Sequence, residues 1–100
     1  MINSGLFSSK TGEWETPQWL FNLLDKEFHF VLDAAATSQN AKCARYIIAE
    51  EDGLKAIWKV PAYLNPPYGH SIKKWVEKAY TEAQYHLGPI VCLLPARTDT

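Results

Sequence analysis

The sequence predicts an α/β domain with a mostly parallel sheet flanked by helices. Three observations carry this. Strand-like and helix-like segments alternate along the chain. Two strand candidates, His29–Asp33 and Ile90–Leu94, are apolar for most of their length, as strands covered on both faces are. The most polar and irregular stretches directly follow the strand candidates, where ligands bind in parallel sheets.

The elements follow in order. Residues 1–13 are Ser-, Gly- and Lys-rich without periodicity and read as a flexible N-terminal arm. Thr16 suits an N-cap and Pro17 the first helical position. Leu20, Leu24 and Phe28, with Phe21 and Leu23 beside them, predict a helix to about Glu27. His29–Asp33 is then a buried strand. Ala34–Gln39 is a small, polar loop, Asn40–Arg45 is weakly helical, and Tyr46–Ile48 is a strand candidate. Glu50-Glu51-Asp52-Gly53 is an acidic turn marked by its Asp-Gly pair, and Leu54–Trp58 allows one helical turn. Ala62–Asn65 is a strand stopped by Pro66 and Pro67, which lack the N–H donor of a ladder. From about Ser71 to His86, Ile72, Trp75, Val76, Ala79, Tyr80 and Ala83 form an apolar helical stripe, with Trp75 and Tyr80 expected in the core. Gly88 and Pro89 stop this helix. Ile90–Leu94 is fully apolar and expected to be central.

Composition narrows the function. The chain has 100 residues and a net charge of −1, enough for one small domain. Its 47% hydrophobic and 21% charged residues exclude a disordered chain. No apolar run approaches the roughly 20 residues of a membrane span, and the N-terminus has no signal-peptide core. The balanced charge excludes a basic nucleic-acid coat while leaving local DNA contact open. Cys43 and Cys92 lack CxxC spacing, so neither a disulfide framework nor a zinc site is expected, and a reducing cytosol fits. His29, His70 and His86 have no metal-ligand spacing. No Ser-His-Asp or Cys-His nucleophile arrangement is visible.

The sharpest local signal is Asn65-Pro66-Pro67-Tyr68 at a strand end. Two prolines stiffen the loop. Asn65 offers an amide acceptor, Pro66 a carbonyl, and Tyr68 a flat aromatic face. This set suits a planar group bearing an amino function: its N–H groups bond to Asn65 and a loop carbonyl, and its ring stacks on Tyr68. The structural alternative is a rigid Pro-Pro loop with a packing Tyr.

The tetrapeptide resembles motif IV of amino-methyltransferases. A wider set occurs in one order: Glu13-Trp14-Glu15-Thr16-Pro17, Leu32-Asp33-Ala34-Ala35-Ala36, Asn40-Ala41, Asp52-Gly53-Leu54, Trp58, Asn65 to Gly69, and Leu94 to Thr100. Over residues 13–100 this is similar to the phage and prophage DNA N-6-adenine-methyltransferase family. The resemblance implies a Rossmann-like, S-adenosylmethionine-dependent enzyme that methylates a flipped-out adenine in double-stranded DNA, in the cytoplasm of a bacterial host. It leaves the oligomeric state open. Asn65, Pro66, Pro67 and Tyr68 would be catalytic. Trp14, Thr16 and Pro17 would lie at the methionine end of the cofactor. Asp33, Ala34 and Ala35 would form the small-residue loop beneath it, with alanines replacing the usual Gly-x-Gly. Asp52 is favoured over Glu50 and Glu51 as an acceptor for the ribose hydroxyls or adenine amine. Capping by Thr16, turn formation by Asp33 and solvation of the acidic turn are the structural alternatives. Family members continue beyond Thr100, so residues 14–100 are expected to be the N-terminal portion of a methyltransferase domain with its C-terminal part missing. Two other readings stay open: a methyltransferase acting on RNA or a protein glutamine amide, and an inactive truncated remnant.

Overall fold

In the computed structural model, which describes residues 15–67 and 72–94, three parallel strands form one sheet in the order β1-β2-β3. The expected arm of residues 1–13, Trp14, residues 68–71 and the stretch from Pro95 onward lie outside the described residues. Helix α1 spans Gln18–Phe28, β1 Leu32–Asp33, β2 Ala62–Leu64, α2 Ile72–Tyr85 and β3 Ile90–Cys92. Register pairs Leu32 with Ala62 and Asp33 with Tyr63 on one side of β2, and Ala62 with Ile90 and Leu64 with Cys92 on the other. The mostly parallel α/β expectation holds.

Sheet order differs in detail. Strand β2 is central among the described strands and all three of its residues are buried, whereas apolar β3 is half-buried at the edge. Hydrophobicity alone does not distinguish an edge strand packed under a helix from a central one. The Tyr46–Ile48 candidate is reduced to one parallel bridge between Tyr46 and Asp33. Asp33 N–H donates to Arg45 O at 3.0 Å and Ile47 N–H to Asp33 O at 3.0 Å, so this segment lies along the free side of β1. The chain then turns into a 3₁₀ turn at Ala49–Glu51, and the ladder cannot lengthen. Asn40–Arg45 is not helical, because the Lys42 N–H goes to the Asp33 carboxylate instead of a helical carbonyl.

Helix α2 departs most from its pattern. Its buried residues are Trp75, Ala79 and Glu82, while Tyr80 is 68% exposed and Val76 is exposed. The expected core position of Tyr80 is therefore corrected. The inward face turns toward a carboxylate because Glu82 finds partners there. Its Oε1 accepts the Trp58 N–H at 2.7 Å, Lys78 Nζ lies 3.1 Å from its Oε2, and His86 Nε2 lies 3.4 Å from Oε1. A buried carboxylate so partnered avoids the cost of an isolated buried charge. Trp58, fully buried, is held at its other end by its indole N–H, which donates to Gly53 O at 2.8 Å. Its ring stacks on Trp75 with centroids 6.4 Å apart. Gly53 leaves room for this contact: a Cβ there would meet Ala34 O at 2.7 Å and the Trp75 ring at 2.8 Å.

Burial opposes ionisation of Glu82, but the Trp58 N–H, Lys78 and the neighbouring His86 outweigh it and hold the carboxyl below its ordinary value of 4.5. The unfolded chain then binds the extra proton first. The resulting stability is present above pH 4.5 and is lost as pH falls through the folded-state value. Glu82→Gln is expected to destabilise the fold by about 1–2 kcal/mol at neutral pH. Urea unfolding at stepped pH should show that deficit shrinking as pH drops below 4.5. A deficit independent of pH would contradict the ion-pair origin.

Candidate functional site

Adjacent parallel strands β1 and β2 end side by side, so the loops that follow them share one end of the sheet. A cleft of roughly 660 Å³ opens there. That volume is typical of small-molecule sites.

The β1 side is organised by Asp33, which is 3% exposed. Its Oδ2 accepts the Lys42 N–H at 3.0 Å and its Oδ1 the Ala35 N–H at 3.4 Å. The turn-forming reading of Asp33 is thus realised, and the residue also lines the cleft. Burial pushes its carboxyl above the usual carboxylate range, while the two N–H groups and the Lys42 charge pull the other way. Ala34 is fully buried and donates its N–H to Tyr63 O at 2.9 Å; Ala36 N–H donates to Ile47 O at 2.9 Å. These small residues bring backbone to the cleft wall. Beyond them Thr37 and Asn40 bond reciprocally, Thr37 N–H to Asn40 Oδ1 at 2.7 Å and Asn40 N–H to Thr37 Oγ1 at 3.2 Å.

Thr16 and Tyr63 join α1 to the sheet. Their buried hydroxyls are hydrogen-bonded to each other. Pro17 is the N-cap of α1, and no side chain bonds at that cap, which corrects the expected Thr16 cap. Thr16 lines the cleft; Pro17 marks the helix start outside it. Burial raises the Tyr63 phenol above its ordinary value. The Phe21 ring meets that of Tyr63 edge-on at 5.1 Å.

Of the acidic turn, Asp52 lines the cleft and Glu51 does not, while the Glu50 side chain lies outside the described set. Asp52 adopts a left-handed φ of 54°, and its Oδ1 accepts the Leu54 N–H at 3.1 Å. Glu51 Oε1 instead accepts the Ile48 N–H at 3.0 Å. On the β2 side, Asn65, Pro66 and Pro67 line the same cleft, Pro66 buried and Pro67 exposed. Tyr68 and Trp14 fall outside the described residues.

One cleft therefore gathers Thr16, Asp33, Ala34, Ala35, Asp52 and Asn65–Pro67. Polar or charged lining residues that sequence reasoning did not assign to the site include Tyr63, Lys42, Thr37 and Asn40. The Thr-x-x-Asn spacing signals the Thr37–Asn40 turn. Nothing local signals Tyr63, which reads as an ordinary strand residue, or Lys42, whose ammonium donates to Gln18 Oε1 of α1 at 3.0 Å. Cys43 and Cys92 are free and only half-buried, and burial pushes the Cys43 thiol up to about 11. Among the described residues no helix is long and apolar enough to cross a membrane.

A family model described as DNA N-6-adenine-methyltransferase (Dam) matches residues 3–100. The chain is 33% identical over 90 residues to a DNA N-6-adenine-methyltransferase of Escherichia phage T1, covering 87% of this chain and 37% of that protein. It is 39% identical over 64 residues to YfdM of Escherichia coli (strain K12), whose name carries a methyltransferase assignment, covering 56% of this chain and 70% of that protein. The chain thus spans little more than a third of the length of the phage T1 relative. No solved structure matches.

Removing the Tyr63 hydroxyl strands that of Thr16 in a buried site. Tyr63→Phe is expected to cost about 1–3 kcal/mol. Urea denaturation measures this; an unchanged midpoint would show that the hydroxyl pair contributes nothing.

Proposed function

The chain belongs to the DNA N-6-adenine-methyltransferase family, and on that premise we propose that it transfers a methyl group from S-adenosylmethionine to the N6 amine of a flipped-out adenine in double-stranded DNA. We further read its parallel sheet as part of a Rossmann-like methyltransferase domain, acting in the bacterial cytoplasm where the DNA lies. One observation carries the reading: the Asn65-Pro66-Pro67 turn after β2 and the Asp33–Ala36 loop after β1 line a single cleft.

The cleft's chemistry fits the methyl donor. Asp33 and Asp52 supply acceptors for ammonium or hydroxyl groups. Ala34 and Ala35 supply close backbone. Ile47 and Trp75 supply apolar wall for a nucleobase. When bound, S-adenosylmethionine supplies an electrophilic methyl on a sulfonium. The residues of the chain then act on the acceptor. The exocyclic amine of adenine is a poor nucleophile because its lone pair is delocalised into the ring. Asn65 and the Pro66 carbonyl accept its two N–H groups, favour a pyramidal nitrogen and direct the lone pair out of the ring plane. Methyl transfer would form the N–C bond, break the methyl–sulfonium bond and release the donor as a neutral thioether, and one of those acceptors would face the proton the nitrogen must lose. Preorganised acceptors of this kind contribute a few kcal/mol. Tyr68 stacks on the base and offsets part of the few kcal/mol that flipping costs. The prolines hold the loop rigid, so little ordering entropy remains when the base enters.

Saturating S-adenosylmethionine, at about 100 times its Kd, is expected to stabilise the fold by roughly 2.7 kcal/mol. Asn65→Ala should keep that stabilisation and lower methyl incorporation into adenine-containing DNA by about 10²–10³-fold. Loss of both together would contradict the division between donor and acceptor groups. Incorporation into RNA or a glutamine-bearing peptide instead of DNA would overturn the acceptor assignment.

A further inference from the structure

Among its described residues the cleft has one cation, Lys42. It is half-buried, and its ammonium donates to the neutral amide of Gln18 at 3.0 Å. Among the described residues no carboxylate oxygen lies within 4.0 Å of it. Its own backbone N–H meanwhile holds Asp33 Oδ2 at 3.0 Å. One residue therefore fastens the buried carboxylate of the cleft and presents a positive charge beside it, without the two side chains closing on each other. The Lys42 charge is near enough to favour the ionised form of Asp33. An ammonium whose hydrogen-bond partner is a neutral amide keeps its charge available for an anion at short range. A carboxylate and an ammonium held side by side are the complement of an α-amino-acid zwitterion, whose two charged groups sit on one carbon.

Resting on the donor reading above, we propose that Lys42 and Asp33 together recognise the amino-acid tail of the methyl donor. Lys42 takes the tail's carboxylate and Asp33 its ammonium. The pair thereby decides which end of the donor lies against α1. The nucleoside end is left to the wall formed by Ile47, Ile48 and Asp52. Gln18 serves as the tether that keeps the Lys42 side chain turned toward α1.

Calorimetric titration of the full chain with two nucleosides tests this. S-adenosylhomocysteine carries the zwitterionic tail; 5′-methylthioadenosine lacks it. The wild-type chain is expected to prefer the tailed ligand by about tenfold or more. Lys42→Gln should erase most of that preference by weakening S-adenosylhomocysteine alone, and Lys42→Arg should keep it. The affinity for 5′-methylthioadenosine doubles as the control for folding, since it must stay constant across the variants. Equal weakening of both ligands by Lys42→Gln would overturn the proposal as a merely structural effect. Weakened DNA binding with an intact ligand preference would overturn it in favour of a phosphate contact. Wild-type chain that binds both ligands equally would overturn it while leaving the donor reading in place. Binding of neither would overturn the donor reading and this proposal together.

Discussion

Parallel pairing of β1 with β2 is the constraint on which the rest depends. Because the strands run the same way in register, Asp33 beside Tyr63, both chains must leave the sheet at the same end. The Asp33–Ala36 loop and the Asn65–Pro67 turn, some thirty residues apart in sequence, are thereby forced to share one cleft. An antiparallel pairing would send them to opposite ends. The Asp33 backbone also bonds outward to Arg45 and Ile47, so one short strand sets the position of three neighbouring segments.

The opposite wall is held by a relay of buried groups. Glu82 on α2 accepts the Trp58 N–H, the Trp58 indole donates to Gly53 O, and Gly53 packs between Ala34 O and the Trp75 ring. Gly53 follows Asp52 directly, so the turn that carries this acidic group is pinned from behind by α2. A carboxylate in this interior is tolerable because the Trp58 N–H, the Lys78 ammonium and the His86 ring surround it. Its lowered pKa and the raised one of Asp33 have opposite balances of the same two effects. At Glu82 the partners outweigh burial; at Asp33 burial outweighs the partners.

Much of this was legible in the residues. The long helix, the Ala62–Leu64 strand stopped by Pro66 and the acidic Asp-Gly turn follow from periodicity and turn chemistry. The Asn-Pro-Pro turn was recognisable as a cleft-lining candidate from its place after a strand-like run, and the small-residue loop from the family resemblance. What escaped were residues whose roles depend on a distant partner. Thr16 looked like a helix cap, and its hydroxyl went to Tyr63 instead. Tyr80 looked like core and lies exposed, while Glu82 turns inward because Trp58 N–H, Lys78 and His86 wait on the inner side. Lys42 lay unremarked in a segment read only as weakly helical.

By itself the sequence determined the fold class, the run of elements and the chemistry at the strand ends. Each of these is written in local spacing: apolar periodicity, missing proline donors, small residues where backbone must approach. Only the tertiary structure decided that β2 and not β3 is central among the described strands, that Asp52 reaches the cleft, and that Lys42 and Tyr63 stand in it. Those outcomes depend on which buried polar group meets which partner across the fold. The free energy of such a meeting belongs to the pair, and neither residue's neighbours in sequence carry a trace of it.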